Sequence, residues 1–344
     1  MMGAFSNYKG EKMRNNSDCK FLDIRETQIA IKSLKDFFQR DLANTLNLTR
    51  VSAPLFVRPE TGLNDNLSGK EKAVDFKIRK YDMNVEIVQS LAKWKRHALK
   101  KYGFKDYEGI YTDMNAIRPD EEFDEIHSVY VDQWDWEKII KKEDRTESYL
   151  HYIVKEIYSV FLRTESFINT IYPYCLSPKL PKSIYFITAE ELLERYPDKS
   201  PKEREYAICK EKKAVFLQGI GENLKNGQPH DSRSPDYDDW TLNGDILVWN
   251  STTQNVLELS SMGIRVDENR LKIQSELSGT CDRLGQAYHK ALLNYELPYT
   301  VGGGIGQSRL CMFFLERKHI AEVQASVWTD EFLEEARMRG IQVL

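Results

Sequence analysis

Three arginines stand where the chain is about to turn: Arg118 after GIYTDMNAI, Arg265 after ELSSMGI and Arg309 after VGGGIGQS. Carboxylates at Asp238, Asp245 and Glu258 lie between the first two. Guanidinium groups neutralise phosphate oxygens, and carboxylates hold the divalent metal that accompanies a nucleoside triphosphate. The glycine run fits neither familiar phosphate motif. A dinucleotide fingerprint needs a third glycine where Gln307 stands, and a P-loop needs a Gly-Lys-Ser/Thr that is not here. What remains is Gly304-Ile305-Gly306-Gln307-Ser308-Arg309. Its glycines let a backbone approach anionic oxygens, and its arginine sits about one turn into the helix expected to follow. Taken singly, each arginine reads better as a cross-strand ion pair, and the run reads as well as a plain strand-to-helix turn. Together, the arginines, carboxylates and glycines fit a nucleoside triphosphate site built without a P-loop.

Periodicity sets the elements that must carry these groups. Ile24, Ile31, Leu34, Phe38, Leu42 and Leu46 predict a helix over 25–46, and the β-like run Val51 to Val57, with Pro54 inside it, is expected at a sheet edge. A strand at Glu86 to Gln89 leads to Ser90, the expected N-cap of the helix carrying LAKWKRHALKK and hence Lys95. Its stripe of Leu91, Trp94, Ala98 and Leu99 reads as an ordinary buried face. Alternation in HSVYVDQWDWE puts Val129, Val131, Gln133, Asp135 and Glu137 on one face, and Tyr130, Asp132, Trp134 and Trp136 on the other, where the tryptophans are expected in the core. A helix over about 145–171 is followed by a strand at 183–187, helices near 189–196 and 201–212, and a strand at 214–218. Residues 220–240 read as a long loop. DILVWN and VLELSSMGIRV flank STTQN as a hairpin, with Glu258 and Ser260 on one face. Helices near 267–277 and 282–295 precede the glycine run, and another starts at Gly306. Hairpins with helices grouped between them predict an α+β fold, a mainly antiparallel β-sheet flanked by helices. Residues 23–344 read as a single domain behind a flexible polar extension, 1–22.

The chain has 344 residues, 41% hydrophobic and 30% charged, the balance of an ordinary globular protein. A net charge of -4 disfavours a protein whose main work is to hold nucleic acid by charge. Cys19, Cys175, Cys209, Cys281 and Cys311 show no C-x-x-C spacing and read as reduced, so a cytoplasmic setting is expected. No apolar run is long enough to span a bilayer. The six histidines, including His127 and His230, show no ligand spacing and read as structural or solvated.

The Pro54 segment, IRPDE and GGGIGQSRL correspond in order to the three signature motifs of class II aminoacyl-tRNA synthetases. LNGDILVWNSTTQNVLELSSMGIRV and GGGIGQSRLCMFFLERKHIAEVQA resemble aspartyl- and asparaginyl-type catalytic domains. DNLSGKEKAV, SLAKWKR, YVDQWDWE, RYPD, SPDYDDW and ELSSMGIRVD resemble the ammonia-dependent asparagine synthetases, a stand-alone relative of those domains, and the likeness runs from about residue 24 to 328.

That resemblance implies activation of the side-chain carboxylate of aspartate as an acyl-adenylate, with pyrophosphate released, and displacement of AMP by ammonia. By position in the motifs it implies Arg118 on the α-phosphate and reacting carboxylate and Arg309 on the distal phosphates, with Arg265, Glu258, Gly304 and Gly306 also at ATP. It places Ser90, Lys95, Asp238, Ser260 and Ser261 around the substrate, and Asp65, Gln133 and Asp135 at the chemistry. Mg²⁺ is expected on Glu258 and Asp245. A homodimer is implied through the first motif. Only about 22 residues precede the first core helix, so an anticodon-reading module is not expected. Residue 2 is methionine and no cysteine sits in a G-x-C-x-G elbow, so ammonia rather than glutamine is the expected nitrogen donor.

Overall fold

The computed structural model describes residues 22–65, 67 and 72–344. The extension expected over 1–22 lies outside the described residues except for Leu22, and so does part of DNLSGKEKAV. In chain order the elements are α1 (Ile24–Leu46), β1 (Leu48–Arg50), β2 (Phe56–Val57), β3 (Asp75–Ile78), β4 (Met83–Ile87), α2 (Ala92–Tyr102), β5 (Gly109–Ile117), β6 (Tyr130–Ile139) and α3 (Glu147–Ile171). There follow β7 (Tyr185–Thr188), α4 (Ala189–Arg195), α5 (Pro201–Lys212), β8 (Ala214–Gln218), β9 (Asp238–Asn250), β10 (Asn255–Arg265), α6 (Glu268–Leu277), α7 (Ala287–Leu293), β11 (Thr300–Gly306), α8 (Gln307–Phe314) and α9 (Asp330–Arg339).

Local chemistry explains most of the boundaries. Asp23 and Glu26 form a reciprocal capping box that starts α1, and Asn47 ends it in the left-handed conformation. Ser200, Pro201 and Glu203 start α5 in the same way. The expected strand over Val51 to Val57 is not one strand. The chain pairs at Leu48–Arg50, beside Gly109–Tyr111, runs without regular structure through Pro54, and reaches Phe56–Val57 in a separate small sheet. Proline, lacking an N–H, marks the gap between two sheets. The second expected helix before the glycine run is broken into a 3-10 turn at Cys281–Gly285 and α7. The long loop ends at Tyr237, three residues earlier than expected, because the strand begins at Asp238.

Among the described residues eight strands form one sheet in the order β1-β5-β6-β11-β10-β9-β8-β7, antiparallel from β5 to β8, with β1 and β7 added in parallel at the edges. One face is packed by α1, α3 and α8, whose Phe38, Leu42, Phe161 and Phe313 meet Trp134 and Trp136 of β6. Both tryptophans are fully buried, as their alternation requires. The opposite face is only partly covered, by α2 near β5 and β6 and by α4 and α5 near β8. Between these covers it is left open.

Candidate active site

The gap is a cavity of about 540 Å³, within the range of small-molecule sites. Its floor is the polar face of the sheet. On β6 the face carries Gln133, Asp135 and Glu137. On β10 it carries Glu258 and Arg265, seven residues apart, which a regular strand would place on opposite faces. A bulge between Glu258 and Ser260 resolves this: Leu257 before it and Leu259 within it face the core, as do Met262 and Ile264 after it. The extra residue returns Arg265 to the cavity side.

The cavity gathers residues from every segment singled out in the sequence: Asp65, Ser90, Lys95 and Arg118; Gln133, Asp135 and Asp238; Glu258, Ser260, Ser261 and Arg265; Gly304, Gly306 and Arg309. Asp245 is not among its lining residues. Arg118 follows β5 and its backbone N–H donates to Val129 O at 2.8 Å. Its side chain lies 3.9 Å from Glu121, and its Nε is buried without a hydrogen-bond partner among the described residues. Asp65 is its mirror image. Oδ1 accepts from Leu67 N at 3.0 Å, while Oδ2 is buried with no partner among the described residues, and burial pushes the carboxyl above its ordinary range. Lys95 donates to Gly303 O at 3.0 Å and sits 3.2 Å from Asp135 Oδ2. Burial pulls its ammonium below the usual lysine value, against the attraction of Asp135. Ser90 is not the helix cap expected of it: Leu91 occupies that position, and the Ser90 hydroxyl accepts from Ala92 N at 3.1 Å.

Arg265 is not a free cation. Its guanidinium grips Glu137 through Nε at 3.0 Å and Nη2 at 2.7 Å, and Nη1 pairs with Asp238. The ion-pair alternative of the sequence reading is what forms here, and it presents a neutralised floor to the cavity. The glycine run is likewise not a loop. Gly302–Gly306 is the end of β11, and its missing side chains make room for neighbouring strands. A Cβ on Gly302 would lie 2.6 Å from Arg265 Nη2 and closer still to Glu137; one on Gly304 would lie 2.9 Å from Asp135 Oδ1 and closer still to Gln133. Gly302→Ala is therefore expected to cost about 1–3 kcal/mol by overpacking, read as a lowered midpoint in denaturant, whereas Gly340→Ala, with open space around it, strains only its own backbone.

Three features escaped the sequence reading. His127 lines the cavity, its Nδ1 facing Asp124 at 2.7 Å and its Nε2 facing Arg309 Nη2 at 2.8 Å. The carboxylate fixes the proton on Nδ1, so Nε2 accepts from the arginine. Arg309 also donates to Glu258 O at 3.3 Å and lies 3.9 Å from its carboxylate. Arg233, from the long loop, pairs with Asp245. Burial raises the Asp245 carboxyl, Arg233 opposes the rise and the charge of Glu258 adds to it. Finally, Lys93, Asp236 and His289 meet in a buried cluster beside Asp65. A residue such as His127 carries no spacing signal, because its partners come from its own loop and from α8.

A sequence-family model described as aspartate-ammonia ligase matches residues 25–340. Among curated proteins, that of Ruminiclostridium cellulolyticum named aspartate–ammonia ligase is 58% identical over 94% of this chain and 96% of its own length. One of the same name from Clostridium tetani is 57% identical over 94% and 95%. Among solved structures, asparaginyl-tRNA synthetase from Pyrococcus horikoshii complexed with asparaginyl-adenylate superimposes with a TM-score of 0.63, at 15% identity, over 88% of this chain and 69% of that one. Aspartyl-tRNA synthetase from Entamoeba histolytica gives 0.59 at 14% identity, over 87% and 58%. At such identities the likeness is one of fold, that of the class II synthetase core.

Proposed function

Because the chain belongs to the aspartate–ammonia ligase family and is a ligase forming a carbon–nitrogen bond, we infer that it makes asparagine through a β-aspartyl-adenylate, with AMP and pyrophosphate as the other products. The observation that carries this reading is that buried groups with no hydrogen-bond partner among the described residues belong to residues of one cavity, Arg118 Nε and Asp65 Oδ2 among them. Joining a carboxylate to a phosphate brings two anions together and needs an idle cation. Taking a proton from ammonium needs an idle anion. Each is costly to leave unsatisfied in the free protein, and each is satisfied by one substrate.

Arg118 holds the α-phosphate and the reacting carboxylate, and stabilises the charge that grows on the phosphorus oxygens during in-line attack. Arg309, aimed by His127, holds the distal phosphates, with Gly304 and Gly306 as close backbone along the nucleotide. Lys95 with Asp135, and Arg265 with Asp238, set alternating charges that match a zwitterionic amino acid, with Ser90, Ser260 and Ser261 completing the pocket. Gln133 orients the forming amide. Asp65 binds ammonium and takes its proton, freeing the lone pair that attacks the acyl carbon as AMP leaves.

Mg²⁺ would be held by Glu258, whose residue lines the cavity. Asp245 does not fit the second ligand expected of it, because it lies outside the cavity lining and is paired with Arg233, and no group of three acidic, histidine or cysteine side chains able to hold a metal stands among the described residues. When bound, the metal would neutralise phosphate charge. Supplied with ATP, Mg²⁺, aspartate and ammonium, the protein is expected to give AMP and free asparagine equally with and without tRNA; aspartyl-tRNA or ADP as product would refute the reading.

The family core pairs through its first motif, and α1 and the segment after it leave Ile29, Leu55 and Phe56 exposed at 50%, 52% and 41%. We assign a two-fold homodimer to this surface, and a purely monomeric sedimentation profile at micromolar concentration would remove it. The setting we propose is cytoplasmic; no helix among the described residues is long and apolar enough to cross a membrane.

A further inference from the structure

We propose that Asp132 is a positioning residue for Arg309, capping from β6 the helix that carries the arginine. The proposal rests on the reading of Arg309 as the group that holds the distal phosphates of ATP. α8 begins at Gln307 behind Gly306, an N-cap with no side chain to accept from the first free N–H groups of the helix. A capping side chain cannot be added there freely. A Cβ on Gly306 would lie 3.3 Å from Arg309 Cβ and 3.5 Å from its Cδ, pressing on the arginine itself. The acceptor comes from the neighbouring strand instead. Asp132 Oδ1 accepts from Ser308 N at 3.1 Å, the bond a local cap would make to the second residue of the helix.

The carboxylate is fixed by groups from three other segments. Gln324 Nε2 donates to Asp132 Oδ1 at 3.3 Å and to Ser308 Oγ at 3.1 Å, and Gln324 Oε1 accepts from Ser128 Oγ at 2.5 Å. Lys35 Nζ, from α1, lies 3.3 Å from Asp132 Oδ2. Asp132, Ser128, Ser308 and Gln324 are all buried, and all four border the cavity. Alternation puts Asp132 on the face of β6 shared with Trp134 and Trp136, where a carboxylate is costly unless it is paired and hydrogen-bonded. A negative group beside the first turn of a helix is also favoured by the helix dipole.

The body of α8 does not depend on this cap. Leu310, Cys311, Phe313 and Phe314 are fully buried and seat the helix against the sheet. What they leave open is the first turn, where helices fray, and Arg309 is the third residue of that turn. Its tip donates to Glu258 O at 3.3 Å and to His127 Nε2 at 2.8 Å, groups on two separate segments. Where the guanidinium points therefore follows from where the helix starts, and Asp132 sets that start.

A residue that acts through Arg309 must affect only what Arg309 touches. Dissociation constants of ATP and of AMP are measured with Mg²⁺ by calorimetry on the full-length protein. In Asp132→Ala, ATP is expected to bind about tenfold more weakly and AMP within about twofold of the unmodified protein, because only ATP carries distal phosphates. In an Arg309→Ala background the same substitution should weaken ATP by no more than about twofold further, since the group it positions is gone. Asp132→Asn keeps an oxygen for Ser308 N and should stay closer to the unmodified protein than to the alanine variant. Equal weakening of ATP and AMP, or a full tenfold loss that persists without Arg309, overturns the proposal. Should Asp132→Ala fail to fold because Lys35 loses its carboxylate, Lys35→Met combined with Asp132→Ala removes both charges and carries the same test. Failure of the underlying reading looks different: Arg309→Ala alone would then keep the normal ratio of ATP to AMP affinity, and the proposal would fall with it.

Discussion

Arg118→Ala is expected to lower both aspartate-dependent pyrophosphate exchange and asparagine formation by about 10²- to 10³-fold, or ~2.7–4 kcal/mol of transition-state stabilisation. Both activities fall because the loss is in the first chemical step, which they share. The guanidinium has little to hold among the described residues: Glu121 is 3.9 Å away and Nε has no partner there. Its hydrogen bonds are kept for a ligand. The backbone N–H to Val129 O that shapes the turn survives the substitution, so unfolding free energy should change by no more than about 1 kcal/mol. Arg118→Lys restores the charge without the planar fork and is expected to recover only part of the rate. Wild-type exchange in the alanine variant would remove Arg118 from the chemistry.

Asp65→Asn is expected to separate the two steps. The adenylate still forms, so pyrophosphate exchange continues, while transfer to ammonia falls by about 10²- to 10⁴-fold because the general base is gone. Asp135, the other carboxylate near the reacting centre, is a poorer base: its Oδ2 is already held by Lys95 at 3.2 Å and by Leu91 N at 3.3 Å. The same substitution should leave the protein as stable as before or more so. A buried carboxylate with an unpartnered oxygen is a desolvation cost, and the isosteric amide carries no charge to desolvate. Gain of stability with loss of amide formation marks a group kept for function at the expense of the fold. Loss of exchange along with amide formation would instead place Asp65 in the binding of aspartate or ATP.

Much of this site can be read from the chain because strand alternation is a strict rule. Once YVDQWDWE is a strand, Gln133 and Asp135 share a face and Trp134 and Trp136 take the core. The arginines at the ends of β5 and β10 and inside α8 are similarly placed by the elements that carry them. What is not legible depends on partners distant in sequence. Lys93 reads as one more cation on a basic helix until Asp236, 143 residues away, and His289, 53 further on, are seen to meet it. The glycine run reads as a phosphate turn because glycine signals backbone freedom, whereas Gly302 and Gly304 are small to admit side chains from β6 and β10. The bulge in β10 leaves no local mark, yet it shifts the alternation that brings Glu258 and Arg265 to one face. Arg265 shows the limit from the other side. Its place was legible, but its engagement with Glu137 and Asp238 was not.

The central claim is that the side-chain carboxylate of aspartate attacks the α-phosphorus of ATP before nitrogen enters. Aspartate carrying heavy oxygen in its side-chain carboxyl group tests it directly, with AMP, pyrophosphate and asparagine analysed by mass. The expected result is one labelled oxygen in AMP and none in pyrophosphate, with asparagine keeping the other. Unlabelled AMP, or label in inorganic phosphate alongside ADP, would contradict it.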